Sequence, residues 1–288
     1  MINLTVARNV KKLMQKYNFH TKKSYGQNFL TNEEVLQTIV ESAQLDSEDI
    51  VVEIGPGLGT LTQFLAANAK KVLAVELDKT LLPVLAETLS DFSNVQVINQ
   101  DILKIDLDEV VRQEIPPGQE LSYKVVANLP YYITTPIIMH LLEQRYHISS
   151  ITIMVQLEVA ARMAARPGGK DYGALSLAVQ YYTEPELITK VPPSSFIPAP
   201  EVESAVMKLT LRAKPPVQVA DEKLFFSLIK TAFAQRRKTL LNALSHKYTQ
   251  LPKEKLTALL ESCGIDPQRR GETLSLEEYA LLTKIFSD

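Results

Sequence analysis

The stretch Ile50-Val51-Val52-Glu53-Ile54-Gly55-Pro56-Gly57-Leu58-Gly59 decides how this chain folds. Its first half is a short apolar run of the kind found in a strand buried on both faces, and the alternating glycines after it let the backbone turn sharply. Residues 58–68 continue with apolar side chains at helical spacing, so strand, turn and helix follow without a linker. The alternation then repeats. Strands are predicted over 72–76, 95–99, 123–127 and 150–156, and helices over 79–90 and 134–146. This rhythm predicts an α/β, Rossmann-like fold with a mostly parallel sheet and helices on both faces. From residue 187 the pattern changes. Residues 187–191 and 202–212 alternate apolar and polar side chains, as an antiparallel edge hairpin would. Lys214-Pro215-Pro216 marks a boundary, after which 221–234, 237–247, 253–262 and 275–286 read as helices only. The expected organisation is one domain over 1–214 and a small all-α domain over 215–288.

Charge is distributed unevenly. The net charge is −2, yet residues 1–32 carry six Lys/Arg and no acid, including Lys22 and Lys23, on a segment with amphipathic-helix spacing over 1–20. Residues 33–130, which open with a second predicted helix at 33–44, carry 6 basic and 17 acidic side chains, net −11. Blocks of this kind are by themselves simply solvated faces; if a polyanion is the partner, only selected faces meet it. Cys263 is the single cysteine, which excludes an internal disulfide and suits a reducing, cytoplasmic setting. The four histidines lack acidic or thiol neighbours at ligand spacing, so no metal site is expected. No apolar run is long enough to span a membrane, and no signal-peptide core is evident.

The glycine turn separates nucleotide-binding classes. A dinucleotide fingerprint needs its third glycine three residues after the second, but Thr60 stands there and the glycine comes at Gly59. No Gly-Lys-Ser/Thr follows, which removes a phosphate-cradling loop. Glu-x-Gly-x-Gly-x-Gly, with Gly55 and Gly57 closest to the ligand, favours an S-adenosylmethionine site. Glu76 ends the second strand about twenty residues later, suited to accept both ribose hydroxyl protons. Asp101, followed by Ile102, ends the third strand, where a carboxylate could accept from the donor's adenine amine. Either acid could instead only cap a helix. Parallel sheets bind ligands at their carboxyl ends, however, and Gly55, Glu76, Asp101 and Asn128 all fall at strand ends.

Asn128-Leu129-Pro130-Tyr131 breaks the 123–127 strand into a turn fixed by Pro130. The tetrapeptide alone describes an ordinary proline turn equally well. It also supplies what an exocyclic adenine amine needs. The Asn128 side chain and the Leu129 carbonyl can accept its two hydrogens and draw the nitrogen toward a nucleophilic geometry. Tyr131 can stack on the base, worth about 1–3 kcal/mol.

With these residues assembled, the chain resembles the ribosomal RNA adenine N6,N6-dimethyltransferases almost end to end. Gly26-Gln27-Asn28-Phe29-Leu30, the glycine turn, Glu76, Asp101-Ile102, Asn128-Leu129-Pro130-Tyr131 and Phe196-Ile197-Pro198-Ala199-Pro200-Glu201-Val202-Glu203-Ser204 match family motifs in order and spacing. The resemblance implies a class I methyltransferase sheet, with Asn28 and Leu30 contacting the methionine part of the donor. It also implies that Phe196 covers the face of the target adenine opposite Tyr131; from the residues alone, Phe196 is a loop-anchoring core side chain. Phe233–Leu244 and Arg269–Ser275 look like the branch that modifies two adjacent adenosines in a 3′-terminal hairpin loop of small-subunit rRNA. Lys22 and Lys23 in the basic arm, and Arg236, Arg237 and Lys238 at a helix start, could meet RNA phosphates. Leu157 departs from the family, which usually places Lys there.

The resemblance thus implies an enzyme of ribosome biogenesis: a monomer acting on small-subunit rRNA within a maturing subunit, without metal or membrane. Two alternatives stand beside it. One is dimethylation of a single adenine in large-subunit rRNA, as in the antibiotic-resistance branch, whose strongly basic members fit a pI near 6.2 poorly. The other is a non-catalytic assembly factor or nucleic-acid binder.

Overall fold

The computed structural model describes residues 2–18 and 28–287, so Lys22 and Lys23 lie outside the described residues. The chain divides into two compact units, residues 1–160 with 184–211, and residues 161–183 with 212–288. The first unit opens with α1 (Ala7–Lys16), β1 (Phe29–Leu30) and α2 (Glu33–Ala43). Then β2 (Ile50–Ile54), α3 (Thr60–Ala66), β3 (Lys71–Glu76), α4 (Leu82–Thr88) and β4 (Val95–Asn99) alternate. They are followed by α5 (Leu107–Arg112), β5 (Tyr123–Asn128), α6 (Thr134–Glu143) and β6 (Ile148–Gln156). Next come α7 (Leu157–Met163), α8 (Ala174–Tyr182), β7 (Thr183–Val191), β8 (Phe196–Ile197) and β9 (Ser204–Leu211). The helices α9 (Glu222–Ala234), α10 (Leu240–Lys247), α11 (Lys253–Ser262) and α12 (Leu276–Ser287) complete the chain.

Seven strands form one sheet in the order β4-β3-β2-β5-β6-β9-β7. All pairings from β4 to β6 are parallel, and β9 runs antiparallel to β6. This is the mostly parallel, class I methyltransferase arrangement with an antiparallel edge. Every residue of β2 is buried, and Val51, Val52, Val125 and Val126 at the sheet centre are fully so, which explains why these strands read as unbroken apolar runs. From β2 the chain builds outward through β3 and β4, then returns to lay β5 on the other side of β2. The strand order therefore reverses between β2 and β5. Such a switch point leaves a crevice at the carboxyl ends of the two strands, because the connections after them diverge to opposite faces. The glycine turn follows β2 and the Asn128 turn follows β5.

Several elements were not legible from periodicity. The 79–90 helix is interrupted: a 3-10 turn over Lys79–Leu81, capped by Asp78 through the Thr80 N–H at 3.1 Å, precedes α4. The extra strands β1 and β8 pair with each other, Leu30 opposite Phe196, too short to show an alternation. The second unit includes residues 161–183 ahead of the 214 boundary because α8 packs there. Tyr181 and Tyr182 lie 5.2–5.5 Å from the rings of Phe225 and Phe226, and the Tyr172 hydroxyl donates to the Leu274 carbonyl at 3.0 Å. Among the described residues no helix is long and apolar enough to cross a membrane, and no group of side chains could hold a metal ion.

Candidate active site at the switch point

The glycine turn is built from backbone that other residues rarely adopt. Gly55, Gly57 and Gly59 have φ of +69°, +60° and +91°. Two of them are also crowded: a Cβ on Gly57 would lie 3.2 Å from the Phe29 ring, and one on Gly59 would lie 3.0 Å from Thr88 Oγ1. The Thr88 hydroxyl donates to the Leu58 carbonyl at 2.9 Å, and the Gly55 N–H donates to the Val75 carbonyl at 2.9 Å, so the turn is tied to its neighbours. Beside it opens a cleft with about 1090 Å³ of empty space. Asn28, Leu30, Gly55, Gly57, Glu76, Asp101, Ile102, Asn128, Leu129, Pro130 and Tyr131 all line it.

Three carboxyls face this cleft. Glu76 is buried; its Oε1 accepts the Asp78 N–H at 2.7 Å, and burial pushes its pKa up to about 6 against the pull of backbone N–H groups including that of Gly57. Glu53 is more extreme. Burial, reinforced by the charge of Glu76, pushes it up to about 8; the Thr62 hydroxyl nearby opposes this without reaching hydrogen-bond geometry, and Glu53 Oε2 has no partner among the described residues. Asp101 is half-buried and does what a capping acid does, accepting the Leu103 N–H at 3.0 Å, while still lining the cleft. The Asn99 amide donates to the Glu76 carbonyl at 2.7 Å, which locks the ends of β3 and β4 together.

The amine side is equally well fixed. Asn128 Nδ2 donates to the Asn28 carbonyl at 3.2 Å, so the donor end of the amide is engaged and its oxygen is the end suited to a ligand N–H. The Leu129 N–H donates to the Met154 carbonyl at 3.1 Å. The Pro130 carbonyl accepts from the Ile133 N–H at 3.2 Å and the Thr134 hydroxyl at 2.9 Å, pinning the turn into α6. Tyr131 is half-buried, with its hydroxyl 2.6 Å from Ser204 Oγ.

Two placements differ from the sequence reading. Phe196 belongs to the core cluster that also holds Leu30, Leu36, Met154 and Val206, and it is not among the residues that line the cleft. Its all-carbon ring gains most from burial, and its pairing opposite Leu30 carries it inward. The three basic tail residues are not at a helix start. Thr239 caps α10 by accepting the Asn242 N–H at 3.3 Å, leaving Arg236, Arg237 and Lys238 in the turn before it. Arg236 is engaged within the second unit, with Nε 3.1 Å from Glu272 Oε2 and Nη2 2.9 Å from the Lys170 carbonyl. Arg237 and Lys238 are exposed. Sequence reasoning did not single out Glu53, although it sits inside the glycine motif, nor Leu77 and Tyr132, which line the cleft while 48% and 51% exposed. An apolar or aromatic residue directly after a strand-end acid or proline turn is the signal that could have found the last two.

These residues fit a cationic nucleoside cofactor. Gly57 lets the backbone itself border the cleft, buried Glu53 presents an oxygen with no protein donor, and Glu76 sits on the rim beside apolar Leu77 and Ile102.

The likeness to known proteins agrees. A family model for ribosomal RNA adenine dimethylase matches residues 18–288. The ribosomal RNA small subunit methyltransferase A of Alkaliphilus metalliredigens is 54% identical over 274 residues, 95% of this chain and 94% of that protein. Its namesake from Bacillus mycoides is 50% identical over 285 residues, 98% and 97%. A dimethyladenosine transferase from Plasmodium falciparum superposes with a TM-score of 0.72 at 26% identity, covering 90% of this chain and 97% of its own. The 23S rRNA methyltransferase ErmE gives a TM-score of 0.65 at 30% identity, covering 91% and 100%. With nearly its whole length matched by the family model and half its residues shared with relatives of the same extent, this chain belongs to the ribosomal RNA adenine dimethylase family.

Proposed function

We propose that this protein is an S-adenosylmethionine-dependent enzyme that dimethylates adenine N6 amines in small-subunit ribosomal RNA, at two adjacent adenosines of a 3′-terminal hairpin loop. The observation that carries this reading is the placement of Asn128 and Tyr131 on the same cleft as the glycine turn and Glu76. An adenine seated on Tyr131 would have its amine within reach of two acceptors and beside the cofactor pocket. The higher identity to small-subunit than to large-subunit methyltransferases favours the small-subunit substrate.

When bound, S-adenosylmethionine would supply an electrophilic methyl group. Asn28, Leu30, Gly55, Gly57, Glu76, Asp101, Ile102 and Asn128 would hold it, and Glu53, whose Oε2 is buried without a protein partner, would join them. Asn128 Oδ1 and the Leu129 carbonyl accept the two N6 hydrogens, which loosens the lone pair from the ring, and Tyr131 holds the base after it leaves its stack. The contribution of these groups is position and polarisation. An alkylated amine is strongly acidic, so water takes its proton and no side-chain base is required. The second transfer uses the remaining N–H. Arg237 and Lys238 are the tail residues best suited to phosphate, and a monomer in the cytoplasm working on a maturing subunit suits the whole.

The test is to incubate the purified protein and S-adenosylmethionine with unmethylated small subunits and to map the modified RNA by mass spectrometry. Dimethyladenosine at neighbouring positions near the 3′ end is expected. Modification of large-subunit RNA only would favour the runner-up, and donor binding without transfer to either RNA would favour a binder.

A further inference from the structure

We infer that Ser204 is a positioning residue for the transfer: its buried hydroxyl holds the ring of Tyr131 in the plane that the target base must meet. The inference rests on the stacking role proposed for Tyr131. Ser204 opens β9, opposite Gln156 of β6, and is fully buried. The Leu157 N–H donates to the Glu203 carbonyl at 2.9 Å, fixing the backbone immediately before it. Its neighbours Ala205, Val206 and Met207 are wholly buried and apolar. A hydroxyl in such surroundings is unfavourable unless hydrogen-bonded, and its contact is the Tyr131 hydroxyl, 2.6 Å away.

The two partners differ in rigidity. Ser204 stands on the sheet, whereas Tyr131 sits in the turn after β5, where the ring could otherwise tilt and swing. A bond at the far end of the ring converts the stiffness of the sheet into a fixed stacking plane. This matters most for the second methyl transfer. The unmodified amine offers two hydrogens to the Asn128 and Leu129 acceptors, so the amine itself helps to orient the base. N6-methyladenine offers one, and orientation then depends more heavily on the ring beneath it.

The experiment compares Ser204→Ala, Tyr131→Phe, their double variant, Ser204→Thr and Tyr131→Ala. For each, the rates of first and second transfer on small subunits, the ratio of monomethyl to dimethyl product, donor affinity by calorimetry and Tm are measured. Ser204→Ala and Tyr131→Phe should each slow the second transfer about fivefold, the scale of one hydrogen bond, and raise the monomethyl share. The double variant should be no worse than either single one, Ser204→Thr should restore the product ratio, and donor affinity should stay unchanged. Additive losses, a wild-type product ratio in both single variants, or a loss that follows Tm alone would overturn the proposal. If Ser204→Ala does not fold, Tyr131→Phe carries the same test, because it removes one oxygen from a half-buried ring. Wild-type transfer by Tyr131→Ala would defeat the stacking reading itself. Loss in Tyr131→Ala with none in Tyr131→Phe or Ser204→Ala would defeat only the role of Ser204.

Discussion

The turn at 128–132 and the segment at 196–204 both carry an aromatic ring that family likeness assigns to the target base, and the molecule treats the two rings oppositely. Tyr131 stays half-buried on the cleft with its hydroxyl against Ser204, while Phe196 lies in the core against Leu30 and Met154. A phenol hydroxyl needs a partner or water, so Tyr131 settles where one end is polar. A phenyl ring has no such end. It is drawn inward as β8 pairs with β1, and there it backs Leu30, which does line the cleft. A motif can therefore border a site through the residue it supports rather than through its own most conspicuous side chain.

Substitutions can break that contrast. Phe196→Ala removes a buried ring and should cost about 3–5 kcal/mol of stability, read as a large drop in Tm or denaturation midpoint. Because Leu30 loses its backing, donor affinity should weaken as well. A stable Phe196→Ala protein that has lost only RNA turnover would put the ring back on the base. Asn128→Ala should leave the fold intact and lower kcat about a hundredfold or more, the scale of deleting one preorganised hydrogen-bonding group, with donor affinity nearly unchanged. Single-turnover kinetics and calorimetry on one preparation separate the two. Tyr131→Ala should cost about 1–3 kcal/mol in the RNA-dependent step; it also strands the buried Ser204 hydroxyl, so Tm should fall, but by less than in Phe196→Ala.

The carboxyls of the donor side sharpen the comparison through pH. Glu76 at about 6 and Glu53 at about 8 both bind a proton more tightly folded than at their ordinary value of 4.5. Their contribution to stability is therefore whole below about pH 4.5 and is lost as pH rises, through about 6 for the first and about 8 for the second. Denaturation of the ligand-free protein at a series of pH values should show that decline, and Glu53→Gln should flatten its upper part. Donor affinity should move the other way, strengthening as Glu76 ionises. The smallest effect is expected in the helical tail. Lys238→Ala should weaken RNA binding slightly and reduce the salt slope by about one, whereas Arg236→Ala should lower the stability of its own unit by freeing Glu272.

The sequence made the central sheet legible because its strands are buried on both faces and its glycines stand where φ is positive. The rim residues Gly55, Glu76, Asp101 and Asn128 followed, since strand ends in a parallel sheet share one edge. What stayed illegible depended on partners distant in sequence. The core position of Phe196 is set by a two-residue pairing with residues 29–30, and the engagement of Arg236 by Glu272 and the Lys170 carbonyl. Grouping α8 with the tail rests on ring packing between Tyr181–Tyr182 and Phe225–Phe226. Glu53 was hidden differently: its place in the glycine motif was plain, but its unpaired oxygen is a property of burial that no spacing reports.

The most direct measurement is a crystal structure of this protein with a bisubstrate compound in which the N6 of adenosine is joined through a carbon linker to the donor's nucleoside. The purine should lie on the Tyr131 ring, with N6 about 3 Å from Asn128 Oδ1 or the Leu129 carbonyl and the donor half between the glycine turn and Glu76. A purine bound away from Tyr131, or an N6 beyond hydrogen-bond reach of both acceptors, would contradict the account.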